Sequence, residues 1–246
     1  MSHKSSKNAA TFNPAAFNRL RDAEEKHFWF RVRRKWIFDR ILKFVPPPAG
    51  LLEIGCGTGN VSSFLAGKGY SVLGCEYYQE AIKRAWPGFQ LIQADAEKLP
   101  FDADRFDVAG LFDVIEHFHD DLAVLKEAAR VVKKNGILIL TVPARKELWS
   151  GTDETSCHKR RYTKEMLKLL LSGADLKPLS IEYMFMSLYM PMKFMRSKSG
   201  RDNDQFSINR LVNRLLKGLF DAERIVSRKL PLPIGTSLIA VARKRS

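Results

Sequence analysis

Short apolar runs alternate with longer amphipathic stretches between residues 51 and 142. The apolar runs have the length of strands, and the stretches between them place apolar residues at helical spacing. The predicted strands are residues 51–54, 71–75, 90–93, 107–112 and 137–142, and the predicted helices are residues 60–67, 79–86 and 120–132. Strands and helices that alternate in this way form a parallel sheet with right-handed crossovers. The pattern therefore predicts the α/β class, with helices on both faces of a mostly parallel sheet.

The chain before this pattern divides into two parts. Residues 1–11 are polar and basic, and they predict a disordered tail. Residues 12–45 carry aromatic residues and arginines at helical spacing, which predicts an N-terminal helical cap. The prolines at positions 46–48 cannot continue a helix, so we expect the main domain to occupy residues 49–246.

The main domain has two predicted insertions, at about residues 143–162 and 184–230. Between them, Thr163 is placed to cap a helix that ends near Gly173. Residues 236–242 are apolar and predict a last strand.

The second insertion contains an amphipathic helix at about residues 209–228. Apolar residues recur every three or four positions, and arginine and lysine occupy the other face. Two interpretations are open. Either the apolar face packs on the core and the basic face is solvated, or the helix lies on a membrane surface.

The composition narrows the class of protein and of partner. The 246 residues carry a formal net charge of +14, which favours an anionic partner such as nucleic acid, acidic lipid, or a phosphorylated or carboxylated substrate. The three cysteines form no C-x-x-C pair, which disfavours a disulfide framework and a structural zinc site. No uncharged stretch has the length needed to span a bilayer. We expect a cytoplasmic protein that is soluble or at most peripheral to a membrane.

A glycine-rich turn follows the first predicted strand. Glu53 lies near the end of this strand, and Gly55, Gly57 and Gly59 come directly after it. Glycines let the backbone turn tightly and approach a ligand without a Cβ in the way. The dinucleotide fingerprint G-x-G-x-x-G needs a glycine where this chain has Asn60, which weakens the interpretation as an NAD site.

Two further acids follow the second and third strands. Glu76 lies roughly twenty residues after the first glycine, where a carboxylate can accept hydrogen bonds from ribose hydroxyls. Asp95 and Ala96 follow the third strand, where an acid can accept from an adenine amino group. With these motifs the chain resembles a class I S-adenosylmethionine-dependent methyltransferase over about residues 51–142.

The resemblance implies a cofactor, a fold and a set of cofactor-binding residues. The cofactor is S-adenosyl-L-methionine, and the fold is a Rossmann-like seven-stranded sheet whose last strand is antiparallel. The residues that the resemblance assigns to cofactor binding are Glu53, Gly55, Cys56, Gly57, Gly59, Asn60, Glu76, Tyr77, Asp95, Ala96, Phe112 and Asp113.

Outside this core the chain is similar to small-molecule methyltransferases, through residues 25–31 and 158–163. The relatives of this subgroup include quinone-biosynthesis O-methyltransferases and enzymes that methylate sugars or lipid-linked precursors. The resemblance therefore implies methyl transfer to a hydroxyl, or alternatively to a nitrogen or carbon, of a small or lipid- or sugar-linked metabolite. The charge of the chain suggests that this acceptor is anionic, and peripheral contact with an anionic membrane is open.

Methyl transfer to a hydroxyl needs an aligned acceptor and a group that takes its proton. The candidate catalytic residues are Glu116, His117, His158 and Tyr162. Glu116 and His117 follow the fourth strand, at the carboxyl edge where α/β sheets bind ligands. We favour His117 as the base or as an acceptor-orienting group; the alternative is that it packs beneath the next helix.

Four residues are candidates for acceptor binding, namely Trp29, Arg31, Arg160 and Arg161. Arginine forks match phosphate and carboxylate oxygens, which suits an anionic or polyhydroxylated acceptor. The alternatives are a solvated charge run for the arginines and packing for Trp29.

The spacing Asp113-x-x-Glu116-His117, with His158 later in the chain, is similar to the metal-binding pattern of some small-RNA and quinone methyltransferases. The first acid here is aspartate rather than glutamate, so we assign no metal ligands from the sequence. A divalent cation is left as an alternative.

Two other functions are open. An RNA or tRNA methyltransferase would suit the net charge, but the Asn/Asp-Pro-Pro-Tyr/Phe motif and an RNA-binding module are both missing from the sequence. A non-catalytic S-adenosylmethionine-binding regulator is the other alternative, because a fold does not imply a function. The oligomeric state cannot be predicted.

Overall fold

The computed structural model describes residues 16–196 and 208–245. The predicted disordered tail, residues 1–11, lies outside the described residues, as do residues 197–207 of the second predicted insertion.

Seven strands form one sheet in the order β3-β2-β1-β4-β5-β7-β6. The strands are β1 (Gly50–Ile54), β2 (Ser71–Glu76), β3 (Gln90–Gln93), β4 (Phe106–Phe112), β5 (Val132–Pro143), β6 (Leu176–Met184) and β7 (Ser237–Lys244). Strands β1 to β5 pair in parallel, and β7 runs antiparallel to both β5 and β6. The Rossmann-like sheet with an antiparallel last strand is confirmed.

The described helices lie on both faces of this sheet. They are α1 (Ala16–Lys26), α2 (Phe28–Phe44), α3 (Asn60–Ala66), α4 (Gln79–Ile82), α5 (Asp121–Val131), α6 (Gly151–Thr155), α7 (Lys164–Gly173), α8 (Tyr189–Arg196) and α9 (Arg210–Val226). Three 3₁₀ turns, at Ile115–His117, Lys146–Leu148 and Met186–Leu188, join some of them.

Local sequence explains several helix ends. The Thr163 side chain accepts a hydrogen bond from the Met166 N–H and caps α7, as its position predicts. Helix α4 ends earlier than predicted, because the Trp86 N–H donates to the Thr58 carbonyl at 2.8 Å instead of continuing the helix. The chain there turns back toward the glycine-rich loop.

Two apolar cores lie against the sheet. One includes residues of α5 and α7, with Leu125 and Leu171 fully buried beside Leu140 of β5. The other includes residues of α2 and α3, and Trp36 and Phe220 are fully buried in it. Helix α9 therefore reaches the second core through Phe220.

Much of the apolar face of α9 does not pack on the core. Leu211, Leu215 and Leu219 are 64%, 65% and 49% exposed. The core-packing interpretation of this face is therefore wrong for these leucines. None of the helices in the described part of the chain is both long enough and apolar enough to cross a membrane.

Candidate functional site

The glycine-rich loop joins β1 to α3 at the carboxyl edge of the sheet. Gly55, Gly57 and Gly59 have φ values of 66°, 57° and 77°, in the left-handed region that favours glycine. A Cβ at Gly55 would meet Val114 at 2.9 Å, whereas a Cβ at Gly57 would meet no atom within 4 Å. The loop therefore packs through Gly55 and opens a space over Gly57.

Glu76, at the end of β2, borders this space. Its carboxylate accepts hydrogen bonds from the Gly57 N–H at 2.8 Å and the Tyr78 N–H at 2.9 Å. Burial raises the pKa of Glu76. A carboxylate beside an open glycine suits a ligand with ribose hydroxyls, so these residues fit the adenosyl part of S-adenosylmethionine.

Glu53 of β1 and Asn60 of α3 flank the glycine-rich loop. Glu53 is buried and accepts a hydrogen bond from the Ser62 hydroxyl of α3. Burial raises the pKa of Glu53 to about 7. The Asn60 side-chain nitrogen is buried without a hydrogen-bond partner among the described residues.

The other predicted cofactor residues differ in exposure. Tyr77 is 40% exposed, and Asp95 is half-buried with its carboxylate accepting from the Glu97 N–H at 2.9 Å. Cys56, Ala96 and Phe112 are buried. The cofactor role of these five residues stays a prediction.

The N-terminal cap contacts the loop through a residue that the sequence did not single out. Glu24 of α1 accepts hydrogen bonds from the Thr58 hydroxyl and, at 2.9 Å, from the Trp86 indole N–H. Burial raises its pKa. An acid on an amphipathic helix gives no sequence signal for such a contact.

A second cap residue reaches the ends of β4 and β5. The Arg33 guanidinium lies 2.5 Å from Asp113 and donates to the Thr141 hydroxyl at 3.1 Å. Thr141 in turn donates to Asp113 at 3.1 Å. Asp113, a predicted cofactor residue, thus fixes α2 to the sheet edge and holds a left-handed φ of 58°.

Three predicted catalytic residues lie together. Ligand atoms of Glu116, His117 and His158 are within 4.8 Å of one another, and the two imidazole centroids are 4.9 Å apart. The Lys159 N–H donates to the Glu116 carbonyl at 2.7 Å, which brings the distant His158 to this edge.

The charges in this cluster are unusual. Glu116 is fully buried, and neither carboxylate oxygen has a hydrogen-bond partner among the described residues. Burial and the nearby Asp113 raise the pKa of Glu116 well above its ordinary value. Burial and then His158 lower the pKa of His117 to about 4, so its imidazole is neutral at pH 7. A neutral imidazole can accept a proton or bind a metal.

Asp153 orients the loop that carries His158. His158 Nδ1 lies 3.0 Å from the Asp153 carboxylate, and Arg161 donates to the same carboxylate through two bonds of 2.9 Å. Burial opposes ionisation, but these two partners lower the pKa of Asp153 to about 2.

The structure does not place Tyr162, Arg160 and Arg161 at an open site. The Tyr162 hydroxyl is buried and donates to Asp121 at 2.8 Å, and burial raises its pKa. Arg160 donates to the same Asp121 carboxylate at 2.8 Å, and Arg161 is buried against Asp153. These contacts hold the loop in place, and a catalytic role for Tyr162 and acceptor binding by Arg160 and Arg161 stay predictions.

The remaining predicted acceptor residues lie on α2. Trp29 stacks on Phe185 with centroids 5.9 Å apart, and the Arg33 guanidinium lies 5.0 Å from its ring. Arg31 is exposed. Trp29 is thus packed beside the sheet edge, as its alternative interpretation expects, and acceptor binding by both residues stays a prediction.

A cationic and aromatic cluster follows β5, and its two cations, Arg145 and Lys164, were not singled out from the sequence. The Arg145 guanidinium lies 4.9 Å from the Tyr183 ring and 5.7 Å from the Tyr189 ring, and the Lys164 ammonium lies 4.7 Å from Tyr183. Arg145 holds a left-handed φ of 68°, and Glu147 lies 4.0 Å from its guanidinium. A strained backbone of this kind is typical of functional positions.

Comparison with known proteins gives this geometry a family context. Residues 52–140 match the family model described as a methyltransferase domain. The chain is 28% identical over 176 residues to a probable S-adenosylmethionine-dependent methyltransferase of Mycobacterium tuberculosis, which covers 68% of this chain and 64% of the relative. It is 29% identical over 136 residues to a ubiquinone biosynthesis O-methyltransferase of Parvibaculum lavamentivorans, which covers 52% of this chain and 51% of the relative.

Solved structures agree on the fold. The chain superposes, with a TM-score of 0.66 and 17% identity, on a chain of the complex between the Haloferax volcanii Trm112 methyltransferase activator and a methyltransferase. The match covers 97% of this chain and 100% of that chain. The chain spans less than two thirds of the length of both curated relatives.

Residues 52–140 therefore match a methyltransferase domain, the chain is similar to S-adenosylmethionine-dependent methyltransferases, and it shares the fold of a solved methyltransferase complex chain. The matched domain and the relatives support an enzyme, and the similarity to these relatives implies S-adenosyl-L-methionine as cofactor.

Proposed function

We propose that this chain transfers a methyl group from S-adenosylmethionine to a hydroxyl of a small or lipid-linked metabolite. The observation that carries the proposal is the position of His117, a neutral imidazole beside Glu116 and His158. Glu116 and His117 follow β4, which pairs directly with β1 and so ends beside the glycine-rich loop. A methyl donor on that loop and a base after β4 would share one edge of the sheet.

When bound, the cofactor supplies an electrophilic methyl group on a sulfonium. The residues of this chain have two tasks around it. Gly57 would let the backbone approach the cofactor, and Glu76 would accept hydrogen bonds from its ribose. His117 would accept the proton of the acceptor hydroxyl, whose oxygen would receive the methyl group that the sulfonium sulfur releases. The alternative is a nitrogen or carbon acceptor, for which His117 would be a less important base or would act in another way.

The acceptor in this proposal carries an anionic group. Arg160 and Arg161 form ion pairs with Asp121 and Asp153. Arg145 and Lys164 would therefore recognise the anionic group of the acceptor. Both cations lie within 5 Å of the Tyr183 ring, near the ends of β5 and β6. Arginine and lysine there would bind a phosphate or carboxylate, and the tyrosines would pack on an apolar or cyclic part of the acceptor.

The lipid-linked form of the acceptor is supported by one relative, whose name assigns it to ubiquinone biosynthesis as an O-methyltransferase. A lipid-linked acceptor resides in a membrane. The proposal therefore includes peripheral contact between this chain and an anionic membrane, which the net charge of +14 favours.

A second candidate function adds a divalent cation at Glu116, His117 and His158. Two imidazoles and one carboxylate form a ligand set that zinc or manganese accepts, and the Glu116 oxygens, which have no hydrogen-bond partner in the described part of the chain, fit a cation. Calorimetric titration of chelator-treated protein with manganese and with zinc tests this. Binding that His158→Ala abolishes supports the site, and the absence of binding to both metals removes it.

The proposed function is tested by incubating the protein and methyl-labelled S-adenosylmethionine with extracts of metabolites, lipids and RNA. Label in an anionic metabolite or lipid, lost with Arg145→Gln and with His117→Ala, is the expected result. Label in RNA supports the RNA methyltransferase. Cofactor binding without label in any extract supports the non-catalytic regulator.

A further inference from the structure

The outward side of α9 presents a row of large apolar side chains, which we call the leucine face (Leu211, Val212, Leu215, Leu219 and Val226). Each of these side chains is between 45% and 65% exposed. Residues four apart are neighbours on a helix, so the three leucines form one stripe. Scattered exposed apolar residues are ordinary, whereas a continuous stripe marks an interaction surface.

The opposite side of α9 is held by the rest of the protein. Phe220 stacks on Phe28 with ring centroids 5.3 Å apart. The Asn213 side chain accepts from the Phe28 N–H at 2.8 Å, and Glu223 accepts from the Met186 N–H at 2.7 Å. The helix cannot roll to bury the leucine face without breaking these contacts.

The chain segment that carries the leucine face is mostly basic. Residues 208–235 contain six basic and two acidic residues. Both acids are engaged within the protein, since Asp221 accepts from Lys35 and Lys217 and Glu223 accepts from backbone N–H groups. Arg210 and Arg214 are exposed and form no ion pair with a described residue. The free charges beside the leucine face are therefore cationic.

We propose that the leucine face docks on an anionic lipid bilayer, with Arg210 and Arg214 at the lipid phosphates. A helix with leucine on one side and arginine beside it lies in the plane of a membrane interface. The 17 residues of α9 extend for about 26 Å, long enough for several lipids to contact both kinds of side chain.

A second copy of the chain fits this surface less well than a bilayer. In a symmetric dimer both copies offer the same patch, so the interface would hold two sets of cations, Arg210 and Arg214 from each copy. The leucine face contains no acid to pair with them. Like charges brought together cost free energy, whereas lipid phosphates neutralise them.

The position of α9 indicates what membrane docking would do for the protein, and this part of the inference rests on the proposed function. Through Glu223, α9 holds the 3₁₀ turn that follows β6, at the same sheet edge as Tyr183 and Tyr189. A lipid-linked acceptor in the bilayer would reach this edge without leaving the membrane.

Co-sedimentation of the full chain with vesicles tests the inference. The vesicles contain phosphatidylcholine alone or mixed with phosphatidylglycerol. We expect binding to the mixed vesicles, lost at least about tenfold in Leu215→Glu/Leu219→Glu. Leu169→Glu is the matched control, since Leu169 is 75% exposed on α7, and it should bind like wild type. Arg210→Gln/Arg214→Gln should reduce binding about fivefold or more.

Three results would overturn the inference: no sedimentation of wild type with mixed vesicles, equal sedimentation of wild type and Leu215→Glu/Leu219→Glu, or a wild-type dimer in light scattering that this variant lacks. Thermal unfolding and calorimetric binding of S-adenosylmethionine should be unchanged in the variant. If the variant loses only vesicle binding, the loss is due to the leucine face of α9. If wild type does not bind S-adenosylmethionine, the proposed function is contradicted, but the vesicle result still holds.

Discussion

The Glu24 carboxylate of α1 accepts a hydrogen bond from the Thr58 hydroxyl, inside the glycine-rich loop. The same carboxylate oxygen accepts from the Trp86 indole at 2.9 Å. One buried acid therefore joins the N-terminal cap, the loop after β1 and the segment after α4. The position of the cap and the position of the loop are thus coupled through Glu24.

Glu24→Ala should loosen this junction. Removing the acid leaves the Thr58 hydroxyl and the Trp86 N–H without their partner, at a cost of about 1–3 kcal/mol. We expect faster amide hydrogen exchange over residues 16–26 and several-fold weaker cofactor binding. Glu25→Ala, which changes an exposed neighbour on the same helix, is the control. Equal exchange rates in the two variants would show that Glu24 does not hold the cap.

Gly57→Ala should weaken S-adenosylmethionine binding by about tenfold or more, because the methyl group would enter the space over the loop. The left-handed φ adds a stability cost of about 1 kcal/mol. Gly69→Ala is the control: Gly69 has a φ of 94°, lies at the opposite edge of the sheet, and its added Cβ would make an ordinary 3.4 Å contact with Pro47. Calorimetry separates the two effects, and equal loss of affinity in both variants would refute a role specific to Gly57.

Arg33→Met should destabilise the fold by about 1–3 kcal/mol, because it removes the buried cation that pairs with Asp113 and donates a hydrogen bond to the Thr141 hydroxyl. Lys133→Met breaks a more exposed ion pair with Asp107 and should cost less than about 1 kcal/mol. Urea unfolding measures both. A smaller loss for Arg33→Met than for Lys133→Met would contradict the anchoring role of Arg33.

Glu53 should make stability depend on pH. Its pKa in the folded state is about 7, above the ordinary value of 4.5. The folded protein therefore holds the proton over a range where the unfolded chain has lost it. Stability falls as pH rises through this range, by up to about 3 kcal/mol. The difference in unfolding free energy between wild type and Glu53→Gln should change between about pH 4.5 and 7, and a constant difference would disprove the raised pKa.

The part of the fold that could be predicted is the part that local sequence determines. Gly55, Gly57 and Gly59 occupy left-handed positions that few other residues tolerate, so their spacing identifies the β1 to α3 turn. The strands around it are apolar runs of the right length, and β3 was predicted with its observed bounds, Gln90–Gln93.

The contacts that could not be predicted join residues far apart in the chain. Helical spacing shows which side of α9 is apolar, but it does not show whether that side packs on the core. In the structure Phe220, on the other side, is the residue that is buried in the core. The arginine-rich segment 158–163 suggested acceptor binding, yet Asp121 and Asp153 occupy Arg160 and Arg161. Sequence shows the charges of these residues and not their partners.

Binding of S-adenosylmethionine to the full chain is the most direct test of the account. Isothermal titration calorimetry should give a dissociation constant on the order of micromolar for wild type. Glu76→Ala removes the carboxylate that borders Gly57 and should weaken binding at least about tenfold. No heat of binding with wild type, or equal affinity in wild type and Glu76→Ala, would contradict the assignment of this loop to the methyl donor.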